Sequence, residues 1–168
     1  MTITLIGTSG AGKSAVAERL ALALGSRAID IDKIIEFAEN EILEHTLARL
    51  GEENFLKLES KTARELIFVE NNVISTGGSI VLSADAMDFL KEKTTIVYLF
   101  ASFETIEHRI GAGDHRGIVG LARKTLREIY DERLPLYEKY ADVTVDTNSD
   151  TTADVVQRVQ PALTAHSP

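Results

Sequence analysis

The sequence predicts an α/β protein in three layers, α/β/α, around a five-stranded parallel sheet. Strand-like runs recur at Thr2 to Ile6, Arg27 to Ile29, Val73 to Thr76, Thr95 to Phe100 and Val143 to Val145. Segments with helical spacing separate them, and that alternation is the pattern of a parallel sheet covered by helices on both faces. The first run leads directly into Gly7-Thr8-Ser9-Gly10-Ala11-Gly12-Lys13-Ser14, which fits the phosphate-binding pattern G-x-x-x-x-G-K-[ST] between a strand and a helix. With 168 residues, 44% of them hydrophobic, the chain is long enough for one compact core and short for two, so a single domain over 1–168 is expected.

The elements follow in order. Thr2 to Ile6 reads as a buried strand, and Lys13 to Leu24, rich in Ala and Leu, as a helix that stops at Gly25. The second strand ends near Asp30, and a helix begins at Lys33 with Asp32 as a candidate N-cap. Gly51 to Val69 reads as a long helix with Phe55, Leu58, Thr62, Leu66 and Val69 along one stripe. Ala84 to Lys91 and Phe103 to Arg109 are shorter helices, the latter capped by Ser102 with Glu104 in its first turn. A charged helical stretch from Gly120 to Tyr140 is expected to break at Pro135. Thr152 to Val159 closes the fold, and the tail from His166 is expected to fray.

Composition narrows the function. A net charge of −8 without a Lys/Arg cluster argues against nucleic acid as a partner. The absence of cysteine excludes disulfides, thiol nucleophiles and Cys-based zinc sites, which suits the cytoplasm. No apolar stretch approaches the ~20 residues of a membrane span, so no membrane partner is expected. The four histidines are scattered without metal-ligand spacing.

The phosphate-binding turn supplies the chemistry. Backbone N–H groups of Gly10, Ala11, Gly12, Lys13, Ser14 and Ala15 would point into one concavity, and the N-terminus of the following helix adds its positive end. Lys13 would reach the terminal phosphates of a nucleotide and Ser14 a Mg²⁺ ion. In parallel sheets ligands sit beyond the C-terminal strand ends, where Asp30 and Asp32 follow the second strand. On an extended chain their spacing aims both side chains one way, Asp30 toward the metal and Asp32 toward an acceptor hydroxyl. The competing readings are a solvated turn residue for Asp30 and a helix cap for Asp32. After the third strand, Gly77 and Gly78 allow close backbone approach to a ligand or simply make a turn. Arg133 reads equally as an anion-binding group or an exposed arginine near a helix end. Between Ile110 and Val119, Gly111, Gly113 and Gly117 flank His115 and Arg116, a composition suited to a lid that excludes water and brings an arginine to the phosphates.

Together the phosphate-binding turn, Asp30-Ile31-Asp32, Gly51-Glu52-Glu53-Asn54-Phe55 with Glu59, Gly77-Gly78, Arg109, Arg116 and Arg133-Leu134-Pro135-Leu136-Tyr137 resemble the shikimate kinase family in order and spacing, over nearly the whole chain. The resemblance implies a P-loop kinase fold with a mobile lid at about 110–119 and an acceptor-binding region at about 32–60. It implies ATP and Mg²⁺, with Lys13 and Ser14 on phosphate and metal and Asp30 helping to hold the metal. It also implies Asp32 on the acceptor hydroxyls, Gly77, Gly78 and Arg133 on the acceptor, Arg116 on the phosphates and Arg109 against adenine. Three positions depart from the family pattern. Leu56 stands where an arginine grips the substrate carboxylate, Ser79 replaces a third glycine, and the lid motif Arg-Pro-Leu-Leu has become Arg116-Gly117-Ile118-Val119.

The expected function is therefore transfer of the γ-phosphoryl of Mg·ATP to a small-molecule alcohol by a monomer, with Lys13, Asp32 and Arg116 as the catalytic residues and shikimate as the leading acceptor. The altered acceptor side keeps a different small hydroxylated metabolite as an alternative, and a nucleotide-binding protein without transfer activity as another.

Overall fold

The computed structural model describes residues 2–66, 71–111, 117–148 and 151–165. Strands β1 (Ile3–Ile6), β2 (Arg27–Asp30), β3 (Asn72–Ser75), β4 (Thr95–Phe100) and β5 (Val143–Asp146) form one parallel sheet in the order β2-β3-β1-β4-β5. Parallel neighbours need long crossovers, and helices α1 (Lys13–Leu24), α2 (Ile31–Glu39), α3 (Leu43–Glu65), α4 (Ala84–Lys93), α5 (Phe103–Ile110), α6 (Leu126–Tyr140) and α7 (Thr152–Ala165) occur in them or after the last strand. The expected α/β/α architecture is thus observed, with strand ends shifted by a residue at most. No helix among the described residues is long and apolar enough to cross a membrane.

β1 lies at the centre, with Ile3 opposite Val73 on one side and Thr95 on the other. Alternating side chains divide the interior in two. Ile3, Leu5, Val97 and Leu99 pack with Val16 and Leu20 of α1 and Val155 and Val159 of α7. Ile6, Ile74, Ile96 and Tyr98 pack with Ile35, Ala63, Leu90 and Tyr137 from α2, α3, α4 and α6. Each fully buried aliphatic side chain contributes about 1.5–3 kcal/mol, so the two half-cores hold the sheet from both faces.

Four elements differ from expectation, each for a local reason. α2 begins at Ile31 because Asp30, not Asp32, is its cap: Asp30 Oδ1 accepts from the backbone N–H of Asp32 and Lys33 at 3.0 and 3.3 Å. Asp32 therefore sits in a helical turn and not on an extended chain. α3 starts at Leu43, eight residues before the expected Gly51, and ends at Glu65. Gly51 is its kink, at φ 73° and ψ 163°, a conformation that spares only glycine. Beyond the kink the buried line runs Phe55–Glu59–Ala63 and not through Leu58 and Thr62. The expected end of this helix at Val69 lies outside the described residues.

Residues 120–123 form turns, and α6 starts only at Leu126. It then continues through Pro135 to Tyr140. An interior proline costs about 3 kcal/mol. Burial of Ile129, Tyr130, Arg133, Tyr137 and Tyr140 along the same helix offsets that cost. α7 likewise passes Pro161, with Val159 and Leu163 buried on either side. Of the expected lid, Ile110, Gly111 and Gly117 to Val119 are described; Ile118 and Val119 are buried, so this end is packed against the body. Gly113, His115 and Arg116 lie outside the described residues.

α6 is set by a capping box, in which Thr125 Oγ1 accepts from the Glu128 N–H at 3.2 Å and Glu128 Oε2 accepts from the Thr125 N–H at 2.7 Å. Thr125→Ala should cost about 1 kcal/mol and lower Tm by roughly 2–4 °C. Calorimetry checks this, and an unchanged Tm would show that the cap does not hold the helix.

Candidate active site

The chain leaves β1 at Ile6 and turns through Gly7–Gly12 into α1. Gly12 is the N-cap of α1 at φ 88°, and the Ala11 N–H closes the turn on Thr8 O at 3.0 Å. That leaves the first N–H groups of the helix directed at the space beyond the strand ends, the arrangement that binds an anion. Lys13 folds over the turn, its Nζ donating to Gly7 O at 2.8 Å and Thr8 O at 3.0 Å, and is only 8% exposed. Burial lowers its pKa to about 8, against the opposing pull of Asp32, Asp30 and Glu59.

Ser14 Oγ donates to Asp30 Oδ2 at 2.6 Å, while the other Asp30 oxygen caps α2. Asp30 is thus both the neighbour of Ser14 and the cap of α2, the capping role that the sequence had offered to Asp32. Ser75, paired with Asp30 across β2 and β3, adds a third oxygen 3.3 Å from Ser14 Oγ. Among the described residues no group of three His, Cys, Asp or Glu side chains gathers to hold a metal. A hydroxyl and a carboxylate beside a phosphate-binding turn are, however, the sparse hard-oxygen set that suits Mg²⁺, which keeps most of its waters.

Two spaces meet here. A cleft of about 370 Å³ lies over the turn, lined by Gly10, Gly12, Lys13, Ser14, Ala15 and Arg109. A smaller cavity of about 80 Å³ lies beyond it, walled by Phe55, Glu59, Gly77, Ser79 and Arg133. Ser9, Asp32 and Gly78 line both. Asp32 is half-buried, and burial raises its pKa to about 6, with Lys13 pulling the other way.

Arg133 is 4% exposed and donates from Nη2 to Val119 O at 2.6 Å, so it is a buried cation on the cavity wall and not an exposed arginine near a helix end. At Gly77 a β-carbon would fall 2.1 Å from Glu59 Oε1 and 3.0 Å from Asp32 Oδ1, so two carboxyl groups close on its α-carbon. Gly78 O accepts from Tyr137 Oη at 2.6 Å, and Tyr137 stacks on Tyr98 with ring centroids 5.1 Å apart. On the far side of the turn, Arg109 of α5 donates to Thr147 O and, at 3.3 Å, to Thr147 Oγ1.

The structure thus gathers Gly10 to Ala15 with Arg109 at the turn, Ser14 with Asp30, and Asp32, Gly77, Gly78 and Arg133 around the cavity. Arg116 lies outside the described residues. Sequence reasoning gave no role to Ser75, Tyr137 or Glu59. A serine in a strand leaves no signal, and Tyr137 stood in the motif that carries the resemblance without a role of its own. Glu59 did leave one, since it stands with Gly51 to Phe55 in the pattern that carries the resemblance.

The shikimate kinase family model matches residues 9–164. A shikimate kinase of Bordetella pertussis is 33% identical over 168 residues, covering 99% of this chain and 80% of that protein. One from Marinomonas sp. is 30% identical over 168 residues, covering 98% and 92%. The solved structure of a shikimate kinase from Acinetobacter baumannii in complex with shikimate superposes with a TM-score of 0.90 at 29% identity, over 99% of this chain and 94% of that one.

The electrostatic pairing across the two spaces has a direct readout. Followed by carboxyl ¹³C shifts, Asp32 should titrate near pH 6, and in Lys13→Ala its midpoint should move higher because a cation that favours the carboxylate is gone. A midpoint that Lys13→Ala leaves in place would sink the pairing, and a midpoint near 4 in the parent protein would show instead that burial does not dominate at Asp32.

Proposed function

The chain belongs to the shikimate kinase family, small-molecule kinases that phosphorylate a hydroxyl group, and from that premise we propose that it transfers the γ-phosphoryl of ATP to a hydroxyl of shikimate. The observation that carries the reading is the position of Asp32 on the wall shared by the cleft and the cavity, where donor phosphate and acceptor hydroxyl would meet.

The roles follow from the geometry. Backbone N–H groups from Gly10 to Ala15 cradle the phosphates, and Lys13 gives up its carbonyl partners for phosphate oxygens as the charge arrives. Arg109, beside Gly10 and Thr147, receives the base end of the nucleotide. Ser14 and Asp30 hold the Mg²⁺ ion, which neutralises phosphate charge when bound. Asp32 orients the acceptor hydroxyl and draws on its proton, while Gly77, Gly78 and the Arg133 guanidinium fix the rest of the acceptor. Arg116, carried by the family pattern, adds charge to the transferring group. The whole chain acts as one kinase domain, with the acceptor region at about 32–60 and the lid at about 110–119.

Leu56 favours a second reading, a kinase for another small hydroxylated metabolite. It is half-buried beside Phe55 and brings no cation to the small cavity, which leaves Arg133 as the guanidinium on its wall. A charge-assisted hydrogen bond is worth about 1.5–3 kcal/mol, so an anionic acceptor binds roughly one to two orders of magnitude less tightly without it.

A coupled assay of ATP turnover with Mg²⁺, with and without millimolar shikimate, tests the proposal. Shikimate-dependent turnover is expected, and Lys13→Ala should lower it at least ~100-fold. Tight ATP binding without stimulation would transfer the assignment to another acceptor. In the same assay Leu56→Arg should lower the KM for shikimate about ten-fold; an unchanged KM would mean that the cavity no longer receives a carboxylate at that wall.

A further inference from the structure

Glu59 is a buried carboxyl group at the acceptor side of the site. It is 1% exposed, lies on the buried line of α3 between Phe55 and Ala63, and forms part of the cavity wall. Its Oε2 accepts from Ser79 Oγ at 2.9 Å. Its Oε1 has no hydrogen-bond partner among the described residues and rests against Gly77, where a β-carbon would be 2.1 Å away. A buried carboxyl oxygen left unpaired is costly, and a ligand that enters the cavity is the natural partner for it.

Two departures from the family pattern meet at this group. Positions 56 and 59 are three residues apart on a helix and share a face, so an arginine at 56 would be within reach of Glu59; Leu56 offers it nothing. The hydroxyl of Ser79, where the pattern has glycine, holds the carboxyl group from the other side instead. Arg133 lines the same cavity, but the bond from its Nη2 goes to Val119 O and Glu59 Oε1 has no hydrogen-bond partner among the described residues.

We propose that Glu59 is an acceptor-contacting residue that sets specificity in this chain: Ser79 anchors Oε2, and Oε1 is left to hydrogen-bond a non-reacting hydroxyl of the acceptor. This rests on the phosphotransferase reading above. The neighbouring charges are Asp32 from α2, Lys13 from α1 and Arg133 from α6, and burial together with the Asp32 charge raises the Glu59 pKa to about 8. At neutral pH the group is then a carboxylic acid with Ser79 donating to one oxygen, so its own O–H is available on the other. The cavity thus meets a neutral polyol face with a neutral donor, where an arginine would have met an anion.

The experiment is steady-state turnover of ATP with shikimate and with analogues that each lack one non-reacting ring hydroxyl, using the parent protein, Glu59→Ala and Glu59→Gln. Glu59→Ala should raise the shikimate KM about ten-fold and change kcat less than three-fold. Glu59→Gln keeps an acceptor for Ser79 and an N–H donor for the substrate, and should stay within about three-fold of the parent. One deoxy analogue should lose about ten-fold with the parent protein and nothing further with Glu59→Ala, the non-additivity expected of groups in contact. Equal losses across all analogues, an unchanged KM in Glu59→Ala, or a fall in kcat alone would overturn the inference while leaving the kinase reading in place. Absence of any shikimate-dependent turnover in the parent protein would overturn the acceptor reading, and the inference with it.

Discussion

The central place of β1 is the constraint on which the rest of the structure depends. Bonded to β3 on one side and β4 on the other, it has all four residues buried, and its C-terminal end opens where the other parallel strands also end. The turn that follows must reverse into α1 without covering that opening, and a left-handed Gly12 makes the reversal short. Once the turn is fixed, the positions of its neighbours follow from register. Asp30 and Ser75 are paired residues at the ends of adjacent strands, and both come to Ser14 for that reason.

Placement in turn decides the electrostatics. Lys13, Asp32 and Glu59 occupy one poorly solvated region, and in each case burial is the largest influence and works against the charged form. Their mutual attractions only partly restore it. The site therefore holds a cation bonded to carbonyls, a carboxyl group raised to about 6 and another raised to about 8, an assembly that gains from charged and hydroxylated partners. Function is what relieves the strain of burying these groups together.

Much of this was legible in the sequence, and the parts that were not share a cause. The strands, α1 and the phosphate-binding turn are specified by local pattern, apolar runs and glycine spacing, and they appear where the pattern puts them. Contacts between elements are not local. Whether Arg133 faced solvent or the cavity depended on how α6 packs, and Pro135, read as a break, proved weaker than that packing. The rotation of α3 was read only in part, since Phe55, Leu58 and Leu66 do face the core while the most deeply buried line runs through a glutamate. A charged residue on a buried line contradicts the simple apolar rule, and such contradictions concentrate where a ligand completes the arrangement.

The two halves of the site also differ in how easily sequence can alter them. The phosphate side is made largely of backbone: N–H groups, a helix end and glycine geometry, with Lys13 and Ser14 added. A substitution there disturbs the turn itself, so its chemistry is tied to the fold. The acceptor side is made of side chains on α2, α3 and α6 that converge across a small cavity, and each can be exchanged while its helix remains. Leu56 on α3 exploits that freedom, and Ser79 in the turn after β3 adds a side chain to the same wall. Losing a guanidinium near a buried carboxyl group would leave both carboxyl oxygens unpaired, and the Ser79 hydroxyl satisfies one of them. The pair is therefore better understood as one compensated change than as two losses: it preserves the buried glutamate while changing what it is free to bind.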